Sequence, residues 1–210
     1  MMERIKTLSP WSGMHEVKTP SRMSGMQGIK ILSLWSGMLG FVVVALGAWT
    51  RLADAGLGCP DWPGCYGFVT IPVSPEEIDI ANSKYPDTPY EVAKAIPEVV
   101  HRYFAAALGF MILCIAFLAF RYKDLPSDVR KLSFFLIGWV IMQGTFGYWT
   151  VSLKLWPQVV TTHLMSGFLT TGLLWLLYFK TKDRLQNLSL IHISEPTRRY
   201  AISYAVFCLK

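Results

Sequence analysis

Two histidines, His101 and His163, are the residues whose type and setting most directly suggest chemistry. Each lies a few residues inside a predicted spanning helix: His101 in the second, which is expected to open at about Pro97, and His163 in the fourth, which is expected to open at Pro157. Ionisable side chains at such positions are candidates for a functional site. Two imidazoles at similar depth, on helices that run the same way, could ligate a heme iron from both faces. A histidine near a membrane interface is also often a packed or hydrogen-bonded residue, and both interpretations stay open.

Other polar residues are predicted to lie at the same outer end. Glu98 precedes His101 by three residues, so both lie on one helical face. Its carboxylate could accept a proton or stabilise positive charge near a substrate, or it could be an acid favoured by the helix dipole. Three basic residues could pair with heme propionates or anchor the chain at the interface: Arg51, Arg102 and Lys154. Small residues near the histidines would admit either a flat macrocycle or a close helix contact: Ala105, Gly109, Gly144, Gly147, Gly167 and Thr170.

Cys59 and Cys65 lie in a loop rich in glycine and proline, GLGCPDWPGCYG. The loop is predicted to lie outside the cell membrane, where conditions favour a disulfide. A metal site is disfavoured because no second ligand pair stands nearby. A disulfide-exchange protein would need two cooperating pairs, and Cys114 lies in an apolar segment where it is expected only to pack.

The elements that must position these residues are four apolar segments. Only 16% of the 210 residues are charged, against about 25% in soluble domains. The segments 31–50, 103–120, 132–153 and 155–179 contain no Asp, Glu, Lys or Arg, and about 20 apolar residues suffice to span a bilayer. We therefore predict an all-α membrane protein with a four-transmembrane-helix up-down bundle in residues 28–180.

The net charge of +6 reflects topology and not nucleic-acid binding, because the basic residues cluster at one end of the spans. These clusters predict a cytoplasmic N-terminus and an outer loop over residues 51–97. The cluster residues are Lys18, Arg22, Lys30, Arg121, Lys123, Arg130, Lys131, Lys180, Lys182 and Arg184.

The two ends are set apart from this domain. Residues 1–27 are expected to be a poorly ordered cytoplasmic segment, and 181–187 a cytoplasmic linker. Residues 188–210 resemble a translated sequencing adapter, so they are excluded from the fold prediction.

Three blocks resemble the heme A synthase family: GAWTRLADAGLGCPDWPGCYG (47–67), EVVHR (98–102) and QGTFGYWTVSLKLWPQVVTTHL (143–164). The resemblance implies an oxidoreductase that oxidises the methyl group of heme O to the formyl group of heme A, for terminal oxidase assembly. Members of the family have eight helices in two similar halves. This chain resembles the N-terminal half, so we expect it to be inactive alone.

The resemblance also assigns roles to residues. His101 and His163 match the iron ligands of the substrate heme O, and Glu98 matches an essential acid. Cys59 and Cys65 match paired cysteines of the outer loop. Heme b is expected in the other half. The implied setting is the bacterial inner membrane, with heme O synthase, the terminal oxidase and another copy of the chain as partners. The alternative is a bis-histidine b-type cytochrome that only carries electrons.

Overall fold

The computed structural model describes the backbone of residues 20–207 and the side chains of residues 22–187. The described backbone forms five helices: α1 (Pro20–Leu52), α2 (Pro75–Lys84), α3 (Val92–Arg121), α4 (Ser127–Ser152) and α5 (Pro157–Phe207). Four of them, all except α2, contain stretches long and apolar enough to cross a membrane. The prediction of an all-α, multi-pass membrane bundle is therefore confirmed.

The four long helices pack as a ring. α1 contacts α3 and α5, and α4 contacts the same two helices. Over the described part of the chain α1 does not contact α4, and α3 does not contact α5. α3 and α5 therefore lie on one diagonal of the bundle. Short connections at 122–126 and 153–156 make α3, α4 and α5 successive antiparallel neighbours. His101 and His163 thus belong to diagonally opposed helices.

The main apolar core lies at the end of the bundle away from the histidines. Met26 and Ile29 of α1 are fully buried there with residues of α3, α4 and α5. Gly25 allows α1 to approach α3 closely, because a Cβ at Gly25 would lie 2.7 Å from the Tyr122 ring. This packing corrects the expected boundary of α1, which begins at Pro20, whereas a poorly ordered segment was expected to reach residue 27. Residues 1–19 lie outside the described part.

The expected linker at 181–187 is helical and continues α5. Thr181 is fully buried, and Lys180 and Arg184 form ion pairs with Asp128 of α4 at 3.4 and 3.3 Å. These contacts hold the end of α5 against the start of α4. The helical backbone runs on to Phe207, and the adapter origin of residues 188–210 stays a prediction.

The segment between α1 and α3, residues 53–91, folds into a small unit that we call the outer cap. Its core contains Cys59, Cys65, Tyr66 and Ala81, packed on Ala95 of α3. The helix α2 within it was not predicted, although the sequence SPEE carries its signal. Ser74 Oγ accepts a hydrogen bond from the Glu77 amide at 3.2 Å, and Glu77 accepts one from the Ser74 amide at 3.1 Å.

The start of α3 also differs from the prediction. α3 begins at Val92, so Pro97 lies inside the helix instead of opening it. The preceding turns contain good helix formers, and Ala95 is buried against the outer cap. The Pro97 carbonyl accepts a hydrogen bond from Thr50 of α1 at 3.2 Å. As a result Glu98 and His101 lie further from the helix start than expected.

Candidate functional site

His101 is held by α1. Its Nδ1 atom lies 3.1 Å from the carbonyl oxygen of Val43. Because a carbonyl oxygen can only accept, Nδ1 carries the proton and Nε2 is the nitrogen left to bind a ligand. The ring also packs against Gly47, where a Cβ would lie 3.1 Å from Cε1. A glycine at position 47 is therefore needed for the imidazole to sit where it does.

His163 is positioned by α4. Its ring lies beside Gly147, where a Cβ would be 3.4 Å from Cε1. Its backbone carbonyl accepts a hydrogen bond from Gln143 Nε2 at 2.8 Å, and Ser166 Oγ donates to Gln143 Oε1. The Nδ1 atom of His163 is enclosed and has no hydrogen-bond partner among the described residues. That leaves Nε2 as its accessible nitrogen too.

The residues around the two histidines fit a heme. The imidazoles are carried by diagonally opposed helices, α3 and α5, whose backbones do not approach each other closely in the described chain. Each ring is half-buried and lies against a glycine of a neighbouring helix. Two neutral imidazoles that present Nε2 form the ligand set of a bis-histidine heme iron. The glycine beside each imidazole leaves space that a larger side chain would fill.

The four glycines among the small residues singled out in the sequence fall into two groups. A Cβ at Gly147 would lie 3.4 Å from His163 Cε1, and a Cβ at Gly167 would lie 3.3 Å from Gln143 Nε2. These two glycines therefore allow neighbouring side chains to pack closely. A Cβ at Gly109 or Gly144 would meet nothing within 4 Å. Close helix contact is therefore not the reason for glycine at positions 109 and 144.

Glu98 belongs to the outer cap more than to the histidine site. Only 4% of the residue is exposed. Its Oε2 accepts a hydrogen bond from the Cys59 amide at 3.0 Å, and its Oε1 pairs with Arg102 at 2.5 Å. Glu98 is one turn from His101 as predicted, but its carboxylate is bonded to the cap. Glu98 therefore fastens α3 to the disulfide loop.

Of the three predicted propionate contacts, Arg102 is already engaged. Its guanidinium donates to the carbonyl oxygens of Asp61, at 2.9 Å, and Gly64 in addition to Glu98. Arg51 and Lys154 are exposed, and neither side chain bonds to another described residue. Arg51 lies in the last turn of α1, and Lys154 lies in the turn between α4 and α5. These two cations can accept an anionic partner without breaking a contact.

Cys59 and Cys65 form a disulfide, with their Cα atoms 4.8 Å apart. Both are fully buried in the cap core, and Cys65 pairs with Phe68 through two backbone hydrogen bonds of 2.9 and 3.0 Å. The disulfide closes the loop whose amide and carbonyl groups bind Glu98 and Arg102. Cys114 is a free cysteine, half-buried within α3.

Several site residues were not recognised from the sequence. Gln143 and Ser166 link α4 to the backbone of His163, and Gly47 makes room for His101. Trp139 Nε1 donates to Thr170 Oγ1 at 3.0 Å, which adds another hydrogen bond between α4 and α5. The available signal was the presence of polar side chains within spanning segments, which often join helices. Their partners could not be read from spacing.

Comparisons with known proteins agree with these features. A family model described as cytochrome oxidase assembly protein (COX15-CtaA) matches residues 30–209. The chain is 48% identical over 142 residues to a heme A synthase of Shewanella oneidensis, with 68% of this chain and 42% of that protein covered. It is 28% identical over 160 residues to heme A synthase COX15 of Saccharomyces cerevisiae, with 63% and 33% covered. No solved structure matches.

The chain thus spans less than half the length of the curated relatives it matches. The family match nevertheless covers most of the chain, including all four membrane-spanning helices from residue 30 onward and the outer cap. The diagonal histidine pair and the disulfide cap lie within the matched range. The chain belongs to the cytochrome oxidase assembly protein (COX15-CtaA) family.

Proposed function

We propose that this chain is the substrate-binding half of a heme A synthase, which oxidises the methyl group of heme O to the formyl group of heme A. The observation that carries the proposal is the histidine pair on diagonal helices, each with Nε2 available. The names of the two relatives support the choice of reaction.

In this proposal His101 and His163 hold the iron of the substrate heme. The bound heme supplies the redox-active iron, and the chain supplies position and electrostatics. The Val43 carbonyl orients His101, and Gln143 holds the helix backbone at His163. A fixed orientation of the macrocycle is what would select one methyl group for oxidation.

Glu98 is proposed as the acidic residue of the reaction. Its carboxylate lies one turn from His101, where it would stabilise positive charge that develops near the oxidised carbon. Arg102 and the Cys59 amide set the orientation of that carboxylate. The cap disulfide between Cys59 and Cys65 supports the same geometry.

Arg51 and Lys154 are proposed to bind the heme propionates. Both are exposed cations at the outer ends of spanning helices, at the histidine end of the bundle. A carboxylate between them would gain charge-assisted hydrogen bonds. Arg102 contributes indirectly, through Glu98.

The cellular setting is also a proposal. The basic clusters favour a cytoplasmic N-terminus with the outer cap on the opposite side of the membrane. The resemblance to heme A synthases favours the bacterial inner membrane, which would place the cap in the periplasm. Heme O would arrive from heme O synthase, and heme A would pass to terminal oxidase assembly. Heme b in the second half of the whole enzyme would serve as redox cofactor. Association with a second copy of the chain is also proposed.

The test is complementation of cells that lack heme A synthase, using the complete gene from which this chain derives. Extracted hemes are separated by chromatography. The proposal expects heme A with the unaltered gene. For the Glu98→Gln protein that reaches the membrane folded, it expects heme O with bound heme retained, the heme yields being compared at equal amounts of membrane protein. Glu91→Gln is the matched control, because Glu91 is an exposed acid in the same region that pairs with the exposed Lys94.

Accumulation of heme O alone, with the unaltered protein present in the membrane, would refute the assignment. A pure electron carrier, the alternative raised by the sequence, requires no acid next to a ligand. It would show the same redox behaviour with Glu98→Gln as without it. The synthase names of both relatives do not favour that alternative.

A further inference from the structure

We propose that the two histidines hold the heme iron unequally, and that His163 is the dissociable ligand. The face of the iron toward His163 is then the one on which a small exogenous ligand enters. This inference rests on the proposed function, which makes both histidines ligands, and it adds which of the two bonds opens.

The first argument concerns the proton on each ring. An imidazole that coordinates through Nε2 carries its proton on Nδ1. At His101 that proton is donated to the Val43 carbonyl at 3.1 Å. At His163 the Nδ1 atom is enclosed and without a partner among residues 22–187. Coordination therefore leaves a buried N–H unpaired at His163 only.

Hydrogen bonds to the second nitrogen orient a metal-binding histidine and raise its basicity. Loss of such a partner weakens metal binding by about 10–100-fold. We therefore expect the bond from His163 to iron to be weaker than that from His101 by a factor of this order. Both ligands are imidazoles, so their intrinsic chemistry does not offset the difference.

The second argument is packing. Three ring atoms of His101 lie 3.1–3.6 Å from where a Cβ would be at Gly47, so the ring lies flat against α1. Only two ring atoms of His163 come within 4 Å of the same position at Gly147, at 3.4 and 4.0 Å. The Gln143 side chain bonds the backbone carbonyl of His163. The ring of His163 thus has more freedom to turn away.

The first test uses the full chain in detergent, loaded with hemin as the probe. His101→Gly and His163→Gly are compared by the rate at which hemin transfers to excess apomyoglobin. We expect His101→Gly to lose hemin about tenfold or more faster than His163→Gly. The His163→Gly protein should also bind added imidazole and regain a six-coordinate spectrum. Equal rates, or the reverse order, overturn the inference.

The second test needs no substitution. The chain is loaded with hemin, reduced to the ferrous state with dithionite, and treated with diethylpyrocarbonate, which modifies free imidazoles, before and after addition of carbon monoxide. Mass spectrometry then maps the modified histidines. The inference expects His163 to become modified under carbon monoxide while His101 stays protected. Modification of His101 instead overturns it.

The two proposals fail in different ways. If the unaltered chain binds hemin without a bis-histidine spectrum, or does not bind it, the proposed function and the inference both fail. If the unaltered chain shows that spectrum but its two histidines behave alike, only the inference fails.

Discussion

Replacement of Arg102 by glutamine is expected to destabilise the protein by about 3–5 kcal/mol, because it removes one partner of a buried ion pair. The side chains of Arg102 and Glu98 are only 15% and 6% exposed, so solvent screens their attraction little. The substitution leaves the Glu98 carboxylate with loop amides as its only partners. It also removes the donors to the Asp61 and Gly64 carbonyls.

Glu98→Gln is expected to cost a similar amount, since it leaves the Arg102 charge unpaired. The double variant should cost less than the sum of the single variants, by about 1–3 kcal/mol, because residues in one hydrogen-bonded pair are coupled. Arg51→Gln is the matched control. Arg51 is exposed and its side chain bonds to no described residue, so its loss should change stability by less than about 0.5 kcal/mol.

The assay follows Cys114, which is half-buried within α3 and reacts with a thiol-specific fluorophore when the bundle opens. The background carries Cys208→Ser, so that one free cysteine is left. At about 2–4 °C per kcal/mol, the midpoint should fall by roughly 6–20 °C for Arg102→Gln. A midpoint equal to that of Arg51→Gln, or strictly additive single effects, would refute the ion-pair argument.

Three further predictions concern the cap and the histidine site. Gly58→Ala should prevent normal docking of the cap, because its Cβ would lie 2.3 Å from the Lys94 carbonyl oxygen. Gly56→Ala is the control, since a Cβ there would meet the flexible end of a leucine side chain at 3.0 Å. Titration of free thiols should show more reduced cysteine in Gly58→Ala than in Gly56→Ala. Burial raises the pKa of Tyr66 above its usual 10.0, so the folded cap favours the neutral phenol. Its contribution is complete below pH 10 and is lost as the pH rises further; proteolysis of the cap should accelerate above that pH, and less so in Tyr66→Phe. Gly47→Ala should push the neighbouring imidazole aside and weaken hemin binding several-fold in an absorption titration, with Gly109→Ala unaffected because open space surrounds that position.

The sequence by itself determined the membrane class, the four spans and the histidine pair. Hydropathy is a local property, so a run of about 20 apolar residues identifies a spanning helix whatever it packs against. The ionisable residues His101 and His163 stand out for the same reason. The spacing of Cys59 and Cys65 in a turn-rich loop was also enough to suggest their pairing.

The helix ends were predicted less well. α1 begins at Pro20 because Met26 and Ile29 are buried by residues of distant helices, and α3 begins at Val92 because Ala95 packs on the cap. The N-terminal part of each helix is stabilised by tertiary contacts more than by its own composition. The capping signal of α2 was present in the sequence and was missed.

Only the tertiary structure decided which atoms meet. It placed α3 and α5 on a diagonal, turned the Glu98 carboxylate toward the Cys59 amide, and brought the Val43 carbonyl to His101 while leaving His163 Nδ1 without a hydrogen-bond partner among the described residues. Glu98 lies 39 residues from Cys59 in the sequence, and His101 lies 58 residues from Val43. Helical periodicity reports which residues share a face, but not which carbonyl or amide a neighbouring helix presents to that face. The residue types could therefore be read from the sequence, while the difference between the two histidines comes from packing.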